Sequence, residues 1–433
     1  MATRLSSRDP GFAAAFSALV AKSRDAKSNV DDVVAGVLAD VRARGDAAVI
    51  EYSKKFDRID LTPATLAFDK ADIAGAAKQC DPETYAALEQ AAERIRDYHV
   101  RQLPKDEFYT DASGIGLGWR WTAVSSAGLY VPGGTAALFS SVLMNAIPAK
   151  VAGVDRLVVA MPTPKGKTNP LTLAACAIAG VDEVYRVGGA QAIAMLAYGT
   201  ATVKAVDKIV GPGNAYVTSA KRQVFGTVGI DMIAGPSEVT VVSDADSDPE
   251  WIAADLLAQA EHDASSQSIL ITDDAAFADK VARAVDILLQ SLPRGETAAK
   301  SWRDNGGIVV VASLADAPAL VNQIAPEHVE LAVADPHKLS LGIRHAGAIF
   351  LGRHTPEALG DYIAGPSHVL PTSGAARFSS GLGVLDFLKR SSLIDCGQAG
   401  LKAIGPGAVA MARAEVLDAH AASVALRLKA RGA

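Results

Sequence analysis

An amide and an imidazole three residues apart, Gln259 and His262, close a stretch that reads as a helix over residues 249–262. Asp248 suits the cap, Pro249 suits the first helical position, and Trp251, Ala254, Leu257 with Leu256 and Ala260 recur at the helical period. On such a helix Gln259 and His262 share one face. A neutral imidazole and an amide oxygen can hold a metal ion when carboxylate or imidazole ligands arrive from elsewhere in the chain. Taken alone, the pair is more readily an ordinary polar surface. Three further clusters shift that balance: Pro326-Glu327-His328-Val329-Glu330, the run from Asp361 to His368, and the run from Glu415 to His420. No packing argument explains them, and together they supply the missing ligands and an acid/base pair.

Any metal here must be held by nitrogen and oxygen. Cys80, Cys176 and Cys396 are far apart and lack Cys-x-x-Cys spacing, which argues against a disulfide framework or a thiolate cage. A cysteine nucleophile is also disfavoured. Cys176 falls in an apolar helix and reads as a buried, inert thiol, while Cys80 and Cys396 lie near no glycine loop or histidine cluster. His99, His337, His345 and His354 stand beside Arg, Lys or Asp and read as solvated; His368 reads as a structural hydrogen-bonding residue. Apolar residues are 49% and charged residues 21%, with net charge −6 and pI near 5.8, the balance of an ordinary soluble enzyme. No basic stripe with interleaved aromatics points to nucleic acid. The first ten residues hold no signal-peptide core, and no run of about 18 apolar residues could span a membrane. The expected location is the cytoplasm.

At 433 residues the chain should form two substantial domains with appendages. Residues 1–25 read as an N-terminal arm with a short helix, and the pattern from Val30 to Gln102 is helical throughout. At Ala127-Gly128-Leu129-Tyr130-Val131-Pro132-Gly133-Gly134-Thr135 the composition shifts to a strand running into a glycine loop. Strands are expected at 157–161, 183–187 and 208–210, alternating with helices at 170–179, 190–198 and 215–225. A second alternating series begins with a strand at 239–242 and continues through strands near 269–272, 308–311, 329–333 and 348–351. Alternation of this kind implies right-handed crossovers and parallel sheets. The expected fold is therefore α/β. Residues 26–125 and 240–380 form the first domain, residues 126–239 form an inserted second domain, and residues 381–433 form a helical C-terminal extension. Its last part, 409–429, reads as one amphipathic helix without a core, which must dock on this subunit or a partner. Two glycine turns, Val187-Gly188-Gly189-Ala190-Gln191 and Val210-Gly211-Pro212-Gly213-Asn214, put backbone N–H groups at a sheet's carboxyl edge, where phosphates sit favourably. Neither is a G-x-G-x-x-G fingerprint, and each serves equally well as a plain strand-to-helix connector.

Eight motifs occur in order: GLYVPGG at 128–134, VGGAQAIAML at 187–196, KIVGPGNAYV at 208–217, AGPSEV at 234–239, QAEH at 259–262, APEHVEL at 325–331, ALGDYIAGPSHVLPTSGAARF at 358–378 and EVLDAH at 415–420. In these the chain resembles the histidinol dehydrogenase family over residues 30–430. The resemblance implies two incomplete Rossmann-like domains with two small extensions, and an interlocked homodimer whose active sites are shared between subunits. It implies zinc, one ion per subunit, held by Gln259, His262, Asp361 and His420, and oxidation of L-histidinol to L-histidine with two NAD in succession. Glu327 and His328 match the family's catalytic pair, Ser237 and Glu415 its substrate contacts, and Tyr130, Gln191 and Asn214 its NAD contacts. The substrate would also meet the four zinc ligands and His328. Such a reaction must take a proton from an alcohol and later activate a water, tasks suited to His328 and Glu327 respectively. A relative oxidising a sulfonated diol would not need Glu415 as an amine partner. A zinc hydrolase would leave Tyr130, Gln191 and Asn214 idle, and a non-enzymatic metal-binding protein explains least of all.

Overall fold

The computed structural model describes residues 2–22, 30–133 and 138–429; Gly134 and Thr135 of the glycine stretch and the last residues of the expected arm lie outside the described residues. The chain forms two compact units, one of Met1–Gln102 with Ser125–Phe387, the other of Leu103–Val124 with Leu388–Ala433.

The larger unit is built on two all-parallel sheets. One runs Glu183–Tyr185, Arg156–Ala160, Ser126–Tyr130, Lys208–Val210, Gly229–Ile230 in spatial order. The other runs Thr3–Ser6, Gly307–Val310, Gln267–Thr272, Glu238–Ser243, His328–Ala332, Ala348–Leu351. In each, the chain lays three strands outward to one side and then returns to the other side of the first. That reversal falls between Ser126–Tyr130 and Lys208–Val210 in one sheet, and between Glu238–Ser243 and His328–Ala332 in the other. Both reversing strands of the second sheet are buried along their whole length, polar residues such as Glu238, His328 and Glu330 included. The helices Pro170–Ala179, Gly189–Tyr198, Ala215–Val224 and Pro249–Ala260 lie within two residues of their expected bounds.

The expected domain grouping differs from this architecture in three places. The N-terminal segment is part of the six-stranded sheet, with Thr3–Ser6 pairing on Gly307–Val310 and Phe16 and Leu19 packing into its core. Four residues holding one charge are too short to show a strand's alternation. The helices Asp31–Arg44 and Asp46–Asp57 bury Val34, Val37, Val41 and Val49 against Ile193, Leu196 and Val217, so they cover the five-stranded sheet instead of the six-stranded one. Helical periodicity reveals an apolar face but not the layer it covers. Finally, the C-terminal extension is completed by residues from far upstream: Leu388–Cys396 pairs antiparallel with Ile115–Ala123, which pairs with Glu107–Thr110. Its end is a helical hairpin, Gln398–Ala414 and Asp418–Lys429, in place of the single helix expected over 409–429. The chain turns at Val416, whose φ is 59°, with the N–H groups of Val416 and Leu417 returning to the carbonyls of Arg413 and Ala412. Gly405-Pro406-Gly407 signals a break in sequence yet lies inside the first helix, where Gly405 gives room to Leu428 of the second.

Candidate active site

Glu327 and His328, the expected acid/base pair, sit at the amino edge of the six-stranded sheet. His328 is the first residue of its strand, and Glu327 precedes it. Both are tied to one residue of the neighbouring strand: the Glu238 N–H donates to Glu327 Oε2 at 3.0 Å, and His328 Nδ1 lies 3.1 Å from the Glu238 carbonyl oxygen. A carbonyl only accepts, so Nδ1 carries the proton and Nε2 presents its lone pair. Nε2 is buried with no hydrogen-bond partner, 3.9 Å from Asp361 Oδ1. Burial drives the imidazole's pKa down to about 3 and the Glu327 carboxyl well above its ordinary range. At neutral pH His328 is therefore a neutral base. Just upstream, Ala325 is buried in the left-handed region at φ 50°, ψ 59°, immediately before Pro326. Such backbone costs on the order of 1–3 kcal/mol and persists only where its surroundings enforce it.

Asp361 is the centre of the cluster. Its Oδ2 lies 3.9 Å from His262 Nε2, and its backbone carbonyl accepts from His368 Nδ1 at 2.9 Å. His368 Nε2 in turn accepts from the Ser141 hydroxyl at 3.1 Å, so its two ring nitrogens are satisfied as a neutral tautomer and burial lowers its pKa to about 4. Gln259 is wholly buried, and neither atom of its amide has a hydrogen-bond partner. His262 lies two residues beyond the helix end at Ala260 and is exposed. The buried face of that helix is Ile252, Ala253, Leu256, Leu257 and Ala260; Trp251 and Ala254 point outward, against the expected pattern. Ser237 is half-buried one residue before Glu238. A cavity of about 530 Å³ opens here, lined by Tyr98, His328, Phe350, Asp361, His368 and Leu382 among others.

Three carboxyls to which the sequence assigns no individual role stand behind His328. Glu357 Oε2, fully buried and without a hydrogen-bond partner, lies 3.9 Å from His328 Nδ1. The Glu357 N–H donates to Glu330 Oε1, and Glu330 shares a side-chain hydrogen bond with Asp255. Burial pushes all three up, Asp255 to about 6. Two signals were available: Glu330 falls on His328's face at strand period 2, and Glu357 precedes Asp361 by one helical turn. Among the described residues no Lys or Arg pairs with Glu327, Glu357 or Asp361, and the basic groups within 4.0 Å of them are imidazoles. Such a carboxylate-rich, cation-poor pocket, with His262 Nε2 3.9 Å from Asp361 Oδ2, has the donor set of an N/O-liganded divalent cation. Among the described residues no three His, Cys, Asp or Glu side chains close a cage by themselves.

The other predicted residues lie elsewhere. Tyr130 ends its strand at the carboxyl edge of the five-stranded sheet, buried, with its hydroxyl accepting from the Gly189 N–H at 3.0 Å; burial raises that phenol to about 12. Gln191 is buried in the first turn of Gly189–Tyr198, and exposed Asn214 caps Ala215–Val224 by accepting from the N–H groups of Tyr216 and Val217. Glu415 and His420 belong to the smaller unit, both exposed in its helical hairpin. His99 departs from its expected solvated role: it is fully buried, with Nδ1 on the Ile95 carbonyl. Cys176 is buried and its thiol is raised to about 12.

Two doubly wound layers, with a buried base and carboxylates at the edge of one and glycine turns at the edge of the other, define an α/β oxidoreductase. The histidinol dehydrogenase family model matches residues 20–428. Histidinol dehydrogenase of Rhodospirillum rubrum is 62% identical over 429 residues, covering 99% of both chains, and that of Ruegeria pomeroyi is 61% identical over 424 residues, covering 98% of both. A crystal structure of histidinol dehydrogenase from Elizabethkingia anophelis superposes with a TM-score of 0.94 at 36% identity, over 99% of this chain and 98% of that one. The chain belongs to the histidinol dehydrogenase family, oxidoreductases of histidine biosynthesis.

Proposed function

We propose that this chain oxidises L-histidinol to L-histidine through L-histidinaldehyde, using two NAD in succession and one zinc ion per subunit, as a cytoplasmic homodimer with shared active sites. The observation that carries the reading is the neutral His328 base, fixed by Glu238, facing Asp361, whose other carboxyl oxygen lies 3.9 Å from His262. Gln259, His262 and Asp361, with His420, would hold the zinc. Bound there, zinc supplies a cation whose coordination can expand to take the substrate's imidazole and amine, and so selects histidinol. Tyr130, Gln191 and Asn214 would contact NAD, which removes two electrons at each step.

The chain's own residues divide the proton work. His328 Nε2 takes the hydroxyl proton of the alcohol in the first oxidation; Nδ1 cannot, because it already donates to Glu238. Glu327 takes a proton from the water that adds to the aldehyde before the second oxidation. Burial raises its pKa above the ordinary carboxylate range, so that once ionised it is a stronger base than an ordinary carboxylate. Ser237 and Glu415 would hold the substrate's polar groups, Glu415 facing the amine. The test is stoichiometric: absorbance at 340 nm should rise with NAD and histidinol, and NADH should reach two per histidinol consumed. A ratio of one would leave an alcohol dehydrogenase that stops at the aldehyde.

A further inference from the structure

Lys221 and Asp231 form an ion pair in the interior, with side chains 3% and 0% exposed. Both direct hydrogen bonds to the same residue: Lys221 Nζ donates to the Gly211 carbonyl at 2.8 Å, and the Gly211 N–H donates to Asp231 Oδ2 at 2.8 Å. Gly211 is a position that only glycine fills. Its φ is 111°, and a Cβ would come within 2.2 Å of the Tyr130 carbonyl oxygen. Three residues later the turn ends in Asn214, whose Oδ1 accepts from the Tyr216 and Val217 N–H groups. The turn from Gly211 to Asn214 is thus fixed at both ends, and at its start it is pressed onto the end of the strand that carries Tyr130.

A buried ion pair is a poor stabiliser, since desolvation offsets its attraction and well-packed apolar residues often serve as well. Apolar residues cannot, however, engage both polar groups of one glycine. We propose that Lys221 and Asp231 are positioning residues for the dinucleotide: they touch no ligand, and they hold the turn so that Asn214 and Tyr130 keep a fixed spacing. The proposal rests on the reading that NAD occupies this edge of the five-stranded sheet.

The test is the double variant Lys221→Met/Asp231→Leu, which removes the pair without leaving a lone buried charge, compared with Asn214→Ala in the zinc-loaded protein. NADH binding is followed by fluorescence, with steady-state constants for both substrates at a temperature where circular dichroism shows the variant folded. Misplacing the turn should raise the NADH dissociation constant and the KM for NAD by about tenfold or more, while kcat at saturating NAD and the KM for histidinol stay within about twofold. If the double variant does not fold, Lys221→Arg, which keeps the charge but alters its reach, should show the same split. NADH affinity within about twofold of wild type in the folded variant, with Asn214→Ala weakened, overturns the positioning role alone. Normal affinity in both variants removes the cofactor from this turn, and the underlying reading fails with it.

Discussion

At the scale of single residues, two neighbours at the start of one strand are assigned different proton transfers, and the same hydrogen bonds that fix them make the assignment testable. His328→Asn removes the base while an amide can still donate to the Glu238 carbonyl, so the fold around it should survive. Loss of a general base should lower the first oxidation on the order of 10² to 10⁴-fold with zinc content unchanged. Metal analysis of the purified variant decides the matter, because lost zinc would make His328 a ligand. Glu327→Gln likewise keeps an acceptor for the Glu238 N–H but cannot take a proton from water. Single-turnover measurements starting from histidinaldehyde should therefore lose more rate than those of the first oxidation. Equal losses in the two would mean that Glu327 merely orients its neighbour.

At the scale of elements, the face of an element on which a side chain falls decides what burial does to it, and His99 provides a measurement on a residue with no part in the proton transfers. It is buried on the helix Pro82–Val100, and burial lowers its pKa from 6.5. The folded state thus holds it neutral while the unfolded chain takes up a proton near pH 6.5. Its contribution is complete above that pH and is lost as pH falls below it. Urea midpoints of wild type should accordingly fall more steeply below pH 6.5 than those of His99→Gln; parallel slopes would show that the buried imidazole titrates normally. The same residue shows where the sequence stops being informative. His99 lies beside Tyr98 and Arg101 and reads as solvated, because a charged neighbour one or two positions away on a helix says nothing about the face at issue. Strands such as Lys208–Val210 and Ala348–Leu351 have the bounds expected from apolar runs between turn signals. Strand order, by contrast, is set by long-range pairing. Reading along the chain therefore could not show that Glu327 and His328 stand at the amino edge of their sheet, away from the carboxyl edge where doubly wound folds usually bind ligands. Nor could it show that Glu238, known only as part of AGPSEV, holds both Glu327 and His328.

At the scale of the whole molecule, the smaller unit is difficult to account for in an isolated chain. It leaves Ile394, Met411, Val416 and Leu426 at least two-thirds exposed, and it carries Glu415 and His420, which have no chemical role on a free surface. A second copy of the chain would cover these residues, and each site would then take Gln259 and His262 from one subunit and His420 from the other. Two inactive parents can test this. Consider His262→Asn in one chain and His420→Asn in the other. In a mixed dimer with crossed tails, one site collects both lesions and the other collects neither. Random reassembly makes about half the dimers mixed, each with one intact site, so co-expression should restore roughly a quarter of wild-type activity. If each tail folds back onto its own chain, every site keeps one lesion and the mixture stays inactive. Activity at the level of the parents, in a preparation shown by mass spectrometry to contain mixed dimers, would therefore return His420 to its own subunit.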